Sequence, residues 1–299
     1  MDGVKGPVCV TGGTGFIGSW LTMRLLDHGY SVRTTVRPAS SEQKKDVSFL
    51  TSLPGASERL QIFNADLSDP QSFNAPIEGC TGVFHVATPI DFEDKEPEEI
   101  VTKIAVDWEV DEMDESFWSD VDFLKASKPA GHPGSYIISK TSTERASLEF
   151  AEKHGLDVVT LIPSFVVGPF ICPKFPFSVR MMLAMVLGDK DQYSFLLNAS
   201  LVHVDDLARA HIFLFECPTV KGRYICSSDI VTIEQMSQFL SARYPEFQIP
   251  TLDSLKEIRG YKIPSLSTKK LLDSGFKYKY GINEMFDGAI QCCKEKGYL

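Results

Sequence analysis

Short apolar runs alternate with segments of helical periodicity along the first half of the chain. The run from Pro7 to Thr11 meets a group of glycines, and apolar residues then recur at helical spacing from Phe16 to His28, where Gly29 ends the helix. Further strands are predicted at residues 31–36, 60–64, 82–87 and 157–162, and a helix over 139–154, closed by Gly155, precedes the last of them. Strands separated by helices need crossover connections, so the pattern predicts an α/β fold with a doubly wound parallel sheet.

The pattern becomes less regular after residue 162, where several prolines occur before residue 177. A strand at 201–204, a helix over 205–215, a strand at 223–226, and helices over 233–243 and 282–296 are predicted in this half. We therefore expect a larger N-terminal domain, residues 1–162, and a smaller C-terminal lobe, residues 163–299, that is interleaved with it.

The composition narrows the classes of partner. The net charge is −10 and the isoelectric point is near 5.1, so neither nucleic acid nor an anionic membrane surface is an expected partner. No apolar run approaches the roughly 20 residues of a membrane span, and no charged-then-apolar leader begins the sequence, so a cytoplasmic location is expected. The seven cysteines lack the spacing of a disulfide framework or a zinc site, so reduced core residues and no metal site are predicted.

The run from Thr11 to Gly18, TGGTGFIG, stands between the first strand and the first helix. Gly13, Gly15 and Gly18 fit the spacing G-x-G-x-x-G, while Gly12, Gly15 and Gly18 fit T-G-x-x-G-x-x-G. Glycines at such a turn let the backbone approach a pyrophosphate, which the free N–H groups and positive dipole of the following helix attract. A glycine-rich connection without a ligand is the alternative, but the position between strand and helix favours dinucleotide binding.

The end of the second strand indicates which dinucleotide the protein binds. NAD-binding proteins of this architecture carry an acidic residue about 20 residues after the glycines, to hold the ribose hydroxyls. Here the strand ends in Val36-Arg37, and Lys44 follows. A guanidinium pairs with a 2′-phosphate that a carboxylate would repel, so NADP(H) is the predicted cofactor, although solvated surface cations are an alternative. Residues 1–162 are thus predicted to be a Rossmann-like NADP-binding domain and 163–299 a substrate-binding lobe.

Tyr136 and Lys140 are candidate catalytic residues. They form a Tyr-x-x-x-Lys motif near the start of the helix that precedes the strand at 157–162, and residues four apart share one helical face. A phenol with a reference pKa of about 10 can exchange a proton near neutrality when a nearby cation stabilises its phenolate. Tyr136 would protonate a ketone oxygen as hydride reaches the carbon. A packing tyrosine beside a surface lysine is the alternative.

Several longer segments carry a family resemblance. They include residues 8–20 (VCVTGGTGFIGSW), 30–38 (YSVRTTVRP), 63–73 (FNADLSDPQSF), 79–92 (GCTGVFHVATPIDF), 158–169 (VVTLIPSFVVGP) and 201–212 (LVHVDDLARAHI). The sequence resembles the extended short-chain dehydrogenases/reductases, and within them the plant dihydroflavonol 4-reductase group, most of all its vestitone reductase branch. That resemblance implies NADPH-dependent reduction of a carbonyl on a phenolic substrate of flavonoid or isoflavonoid type.

The same resemblance implies roles for particular residues. Asp66 and Leu67 would border the adenine, the segment from Val86 to Thr88 would lie by the ribose near the nicotinamide, and the segment from Pro163 to Val166 would lie by the carboxamide. The predicted cofactor contacts are Gly12, Thr14, Gly15, Phe16, Ile17, Gly18, Arg37, Lys44, Asp66, Leu67, Val86, Ala87, Thr88, Tyr136, Lys140, Pro163 and Val166.

The sequence departs from the family between Ala87 and Tyr136. The family has a helix and a central strand there, and the strand ends in the serine that orients the substrate carbonyl. Residues 91–122 of this chain are instead rich in Asp and Glu, and contain no apolar run like those of central parallel strands. We therefore predict that one central strand is missing near Asp107-Trp108, and we assign no catalytic serine. A catalytically impaired cofactor-binding protein, or a shortened isoform, is the alternative to an active reductase.

Two other features have competing interpretations. His203 lies before a predicted helix and is interpreted as a structural histidine rather than a catalytic one. The segment from Phe170 to Phe177, with Met181 and Met182, would suit an aromatic ligand or a buried core equally well.

Overall fold

The computed structural model describes residues 4–38, 46–88, 111–126, 132–259 and 264–299. Its main sheet has the order β3-β2-β1-β4 and all of its strands are parallel. These strands are β1 Lys5–Thr11, β2 Tyr30–Val36, β3 Leu60–Asn64 and β4 Gly82–His85. The apolar run in β1 is fully buried at the sheet centre, because strands flank it on both sides and helices cover its faces.

Seven further strands form smaller sheets: β5 Glu112–Met113, β6 Val159–Pro163, β7 Phe165–Val167, β8 Asn198–His203, β9 Gly222–Cys226, β10 Asp229–Thr232 and β11 Ser265–Leu266. β6 pairs with β9 and β5 with β11, both in parallel. β8 lies between β7, which is parallel to it, and β10, which is antiparallel.

The helices, in chain order, are α1 Phe16–Asp27, α2 Ser48–Thr51, α3 Ala56–Arg59, α4 Asn74–Ile77, α5 Val121–Ala126, α6 His132–His154, α7 Phe177–Met182, α8 Ala184–Leu187, α9 Val204–Glu216, α10 Ile233–Arg243, α11 Leu252–Leu255, α12 Lys269–Asp273 and α13 Ile282–Glu295. The described residues also contain two 3₁₀ segments, Pro70–Phe73 and Lys190–Leu196. None of the helices within the described ranges is long and apolar enough to cross a bilayer.

In the part of the chain that the structure describes, no strand joins β4 to β6. Within the described residues, β4 pairs with β1 alone and β6 with β9 alone. Val83 in β4 is 45% exposed, and every residue of β6 keeps some exposure, whereas strands in the middle of a parallel sheet are normally buried. The predicted break at Asp107-Trp108 lies outside the described residues, so the loss of a central strand stays a prediction.

The two halves of the chain interlock through α9. Ala208 and Ile212 of α9 join the apolar cluster that covers the main sheet. The carboxylate of Asp205 accepts a hydrogen bond from Trp20 Nε1 at 2.9 Å and forms an ion pair with Arg24 at 3.0 Å, which ties α9 to α1. A second apolar cluster, built from α7, α8, α10 and α13, forms the core of the C-terminal half. The boundary between residues 162 and 163 stays a prediction.

Candidate active site

The glycine turn connects β1 to α1 in the middle of the main sheet. The N–H of Gly13 donates to the carbonyl of Thr35 at 2.9 Å, and the N–H of Gly15 donates to the carbonyl of Gly12 at 2.9 Å. Gly15 is the N-cap of α1, and within the described part of the chain no side chain caps this helix end. The first turn of α1 therefore presents backbone N–H groups and the positive end of the helix dipole.

Two glycines are required by contact distances. Gly12 has φ +75°, and a Cβ on it would lie 2.8 Å from the Cα of Ala87. A Cβ on Gly18 would lie 2.2 Å from the carbonyl oxygen of Gly12. Only glycine fits at either position without moving backbone, and the resulting cradle has the form that a pyrophosphate needs. Thr14, Phe16 and Ile17 lie in the same turn and the first turn of α1, so the predicted pyrophosphate contacts lie together.

The ends of β2 and β3 lie beside this turn. Arg37 follows β2, is exposed, and lies close enough to Asp66 to interact with its charge. Hydrogen bonds from Ser68 lower the pKa of Asp66, with a smaller contribution from Arg37. Leu67 is largely exposed beside Asp66. The predicted contact at Lys44 lies outside the described residues.

The segment after β4 packs against the glycine turn. The N–H of Ala87 donates to Thr11 Oγ1 at 3.1 Å, and the same hydroxyl pairs with His85 Nδ1 at 3.0 Å. Desolvation lowers the pKa of His85, and the charge of Lys140 adds to the effect. Val86, Ala87 and Thr88 are partly buried at the carboxyl end of the sheet, beside the turn. This is the edge at which open α/β sheets bind ligands.

Tyr136 and Lys140 lie one turn apart in α6, and Lys140 contacts Thr88, which follows β4. The ammonium of Lys140 lies 5.9 Å from the centre of the Tyr136 ring and donates to Thr88 Oγ1 at 2.5 Å. Burial raises the pKa of Tyr136 and lowers the pKa of Lys140. The phenol is thus kept protonated, in the form that can donate a proton.

The remaining predicted residues lie at and after β6. Pro163 ends β6 and is exposed, whereas Val166 is buried in the adjoining strand β7 and packs in the core. Ser178 donates to the carbonyl of Val166 at 2.7 Å. Pro163 therefore faces the open side of the sheet, while the side chain of Val166 faces inward.

The two competing interpretations from the sequence now have a structural outcome. His203 is the N-cap of α9, where its Nδ1 accepts a hydrogen bond from the N–H of Asp205 at 3.0 Å, and its ring stacks on Tyr280. The interpretation of a structural histidine is confirmed. Phe170, Met181 and Met182 are buried in the second apolar cluster, which confirms the core interpretation for them.

Sequence reasoning missed Thr11 and His85 as members of this site. Each ends a strand, and their side chains meet across 74 positions of sequence. Their places at the carboxyl ends of two neighbouring parallel strands were the available signal.

A glycine cradle before a helix, and a Tyr-Lys pair at the adjacent sheet edge, define a dinucleotide-dependent oxidoreductase of the Rossmann class. The chain belongs to the extended short-chain dehydrogenase/reductase family. It is 56% identical to vestitone reductase of Medicago sativa over 326 residues, covering 99% of each chain. It is 43% identical to a dihydroflavonol 4-reductase of Hordeum vulgare, covering 100% of this chain and 92% of that protein.

Solved structures agree with this assignment. The crystal structure of vestitone reductase from alfalfa superposes with a TM-score of 0.87 at 52% identity, covering 99% of this chain and 100% of that one. A yeast methylglyoxal/isovaleraldehyde reductase has the same fold, with a TM-score of 0.72 at 19% identity over 98% of this chain and 100% of that one.

Two family models match the chain, one before residue 95 and one after residue 121. Residues 9–94 match the GDP-mannose 4,6 dehydratase family and residues 122–225 match the NAD dependent epimerase/dehydratase family. The alignment with vestitone reductase has 326 positions against 299 residues here, so at least 27 positions of that relative have no counterpart. Residues 95–121, which lie between the two family matches, include the site of the predicted break.

Proposed function

We propose that this protein is an NADPH-dependent reductase of a ketone on a flavonoid- or isoflavonoid-like phenolic substrate, of vestitone or dihydroflavonol type. The observation that carries the proposal is the bond from Lys140 to Thr88, because it holds the Tyr136-Lys140 pair at the sheet edge beside the glycine cradle. The names of the relatives, vestitone reductase and dihydroflavonol 4-reductase, support the substrate class.

The proposed roles follow from the positions of the residues. The bound cofactor would supply hydride to the carbonyl carbon. Tyr136 donates its phenolic proton to the carbonyl oxygen, and the charge of Lys140 stabilises the phenolate that remains. Lys140 is oriented for this by Thr88. Burial makes loss of the proton from the Tyr136 phenol costly, and the positive charge of Lys140 lowers that cost.

The preference for NADPH is proposed from Arg37. Its guanidinium is exposed at the end of β2, on the side of the sheet where the glycine turn lies. Asp66, the nearby carboxylate, has its Oδ1 engaged by the N–H and hydroxyl of Ser68 at 2.8 and 2.7 Å. Arg37 is therefore available for a 2′-phosphate, with which a guanidinium forms paired hydrogen bonds.

The relatives also differ in what their names say they do. A protein named noscapine synthase SDR1 from Papaver somniferum is 44% identical to this chain and covers 100% of it. The test uses a panel of substrates: an isoflavanone, a dihydroflavonol and a small aliphatic aldehyde. We expect NADPH oxidation with a phenolic polycyclic ketone and much less with the aldehyde. NADPH binding without turnover on any of them would contradict the proposal and favour an impaired cofactor-binding protein.

A further inference from the structure

A column of four aromatic rings runs from the glycine turn to the carboxyl end of the chain. Phe16, the first residue of α1, meets Phe170 edge-on with ring centroids 6.4 Å apart. Phe170 stacks on Phe175 at 5.9 Å, and Phe175 stacks on Tyr298 at 4.6 Å. The column therefore joins the candidate cofactor turn to the loop 168–176 and to the residues after α13.

The backbone at the end of α13 directs Tyr298 onto this loop. Gly297 is left-handed, with φ +75°. The N–H of Gly297 donates to the carbonyl of Lys294 at 3.2 Å, and the N–H of Tyr298 donates to the carbonyl of Cys293 at 2.8 Å. This pair of bonds is the Schellman arrangement, which ends a helix and reverses the chain. The hydroxyl of Tyr298 then donates to the carbonyl of Pro173, within the loop, at 2.8 Å.

Helix α13 holds the other end of the same loop. A Cβ on Gly288 would lie 2.6 Å from Cδ of Pro169, so helix and loop are in close contact there. The thiol of Cys292 donates to the carbonyl of Phe170 at 3.0 Å. The bond between Cys292 and Phe170 is buried, whereas Tyr298 is 37% exposed. Tyr298 can therefore be changed with little effect on the core.

We propose that Tyr298 is a positioning residue that fixes the loop 168–176 against Phe16, and thereby keeps the first turn of α1 in shape for the dinucleotide. The expected effect on cofactor affinity rests on the proposed function, whereas the anchoring of the loop by Tyr298 does not. Phe170 transmits the effect, because its ring contacts both Phe16 and the stacked pair of Phe175 and Tyr298. Without the Tyr298 ring, Phe175 loses its outer neighbour and the loop loses its attachment at Pro173.

Hydrogen exchange in the cofactor-free protein tests the anchoring. Tyr298→Ala removes one ring stack and one hydrogen bond, so we expect amides in 168–176 to exchange about tenfold faster. Tyr298→Phe keeps the ring and should exchange nearly as the wild type does. Lys294→Ala is the matched control, since Lys294 binds Glu246 at 2.9 Å on the same end of α13. Unchanged exchange in Tyr298→Ala would overturn the proposal.

Titration with NADPH tests the consequence. We expect Tyr298→Ala to raise the Kd for NADPH about three- to tenfold, while Tyr298→Phe restores most of the affinity. The melting temperature should change by no more than about 2–4 °C in either variant. Equal losses of affinity and melting temperature in both variants would mean a merely structural role and would overturn the proposal. A wild-type protein that does not bind NADPH would overturn the proposed function instead, while hydrogen exchange still decides the anchoring.

Discussion

The ammonium of Lys140 donates a hydrogen bond to the hydroxyl of Thr88 at 2.5 Å, across 52 positions of sequence. The bond joins α6 to the residues that follow β4, at the carboxyl edge of the main sheet. Tyr136 lies one helical turn before Lys140, so the bond also determines where the phenol can face. The proposed proton donor is thus oriented by a contact between α6 and the residues that follow β4.

Removing the phenolic hydroxyl should abolish catalysis and leave cofactor binding intact. We expect Tyr136→Phe to lower kcat by about 10²–10⁴-fold, because general acid catalysis is lost while ring packing is kept. Turnover of the ketone and fluorescence titration with NADPH measure the two effects separately. Tyr30→Phe is a matched control, because its hydroxyl binds Glu216 away from the site. Wild-type turnover by Tyr136→Phe would rule out the assigned role.

Replacing Arg37 should change the choice between the two dinucleotides. We expect Arg37→Ala to weaken NADPH binding about tenfold or more, since charge-assisted hydrogen bonds to the 2′-phosphate are lost. NADH, which lacks that phosphate, should bind as before. Arg180→Ala serves as the control for loss of charge, since Arg180 is exposed and pairs with Asp189. Equal weakening of NADPH and NADH binding would contradict the prediction.

The glycine cradle should not tolerate a side chain. A methyl group on Gly18 would overlap the carbonyl of Gly12, so Gly18→Ala should lose dinucleotide binding. Gly15→Ala is milder, because its Cβ would lie 3.3 Å from the same oxygen, and it should fold while binding more weakly.

Gly79→Ala separates backbone strain from damage to the cradle. Gly79 has φ +71° and no heavy atom within 4 Å of an added Cβ, so this variant should lose about 1–3 kcal/mol of stability and no affinity. Titration with NADPH and urea denaturation measure the two quantities. Full affinity in both cradle variants would exclude this turn as the cofactor site.

Stability should fall as the solution becomes acidic, partly because of His203. Burial lowers the pKa of His203 from its ordinary value of 6.5, although Asp205, Asp206 and Glu284 oppose the shift. Below pH 6.5 the unfolded chain therefore binds more protons than the folded one, and stability is lost as the pH falls through that value. The pKa values of His85 and His211 are lowered too and act in the same direction.

His203→Asn isolates the contribution of this histidine. Asparagine can still cap α9, but it does not titrate. The slope of unfolding free energy against pH should decrease by at most about 1.4 kcal/mol per pH unit between pH 5 and 7, measured by urea denaturation. Identical slopes for the variant and the wild type would show that His203 is not among the responsible groups.

Restoring the predicted missing strand should stabilise the protein. At least 27 positions of vestitone reductase have no counterpart here, and β4 and β6 lack a shared neighbour among the described residues. Inserting the unmatched segment of that relative between Asp107 and Trp108 should raise the unfolding free energy and the denaturant m-value, because more surface is then buried. An insertion of equal length rich in Gly and Ser is the control, and equal stability of the two chains would refute the predicted loss.

Part of the fold was predictable because its signals are local. The helix Ile233–Arg243 and the strand Leu60–Asn64 were predicted with the bounds that the structure has, since apolar periodicity and neighbouring glycines or caps mark them. Helix α6 begins at His132, seven residues before its predicted start, and includes Pro133, which is tolerated in a first helical turn. Strands β7 and β10 were missed, since they are only 3 and 4 residues long and prolines flank the first.

The site was predictable only in part, because only some of its residues belong to local sequence motifs. The glycine turn and the Tyr136-Lys140 pair are local motifs whose spacing carries their meaning. The contacts of Thr11 with His85, and of Lys140 with Thr88, join residues 74 and 52 positions apart, and local periodicity does not report such pairs. The aromatic column ending at Tyr298 likewise depends on tertiary packing.

The place of α9 has a consequence for synthesis on the ribosome. Phe215 of α9 packs edge-on against Phe84 of β4 with ring centroids 5.1 Å apart, and it fills the space beside Gly82. The four paired strands of the main sheet precede residue 86 and α1 packs on the same face as α9, yet Phe84 on that face lacks its cover until α9 has left the exit tunnel. Part of this apolar face therefore stays exposed until α9 has been translated, and transiently exposed apolar surface of this kind is what makes folding intermediates prone to aggregate.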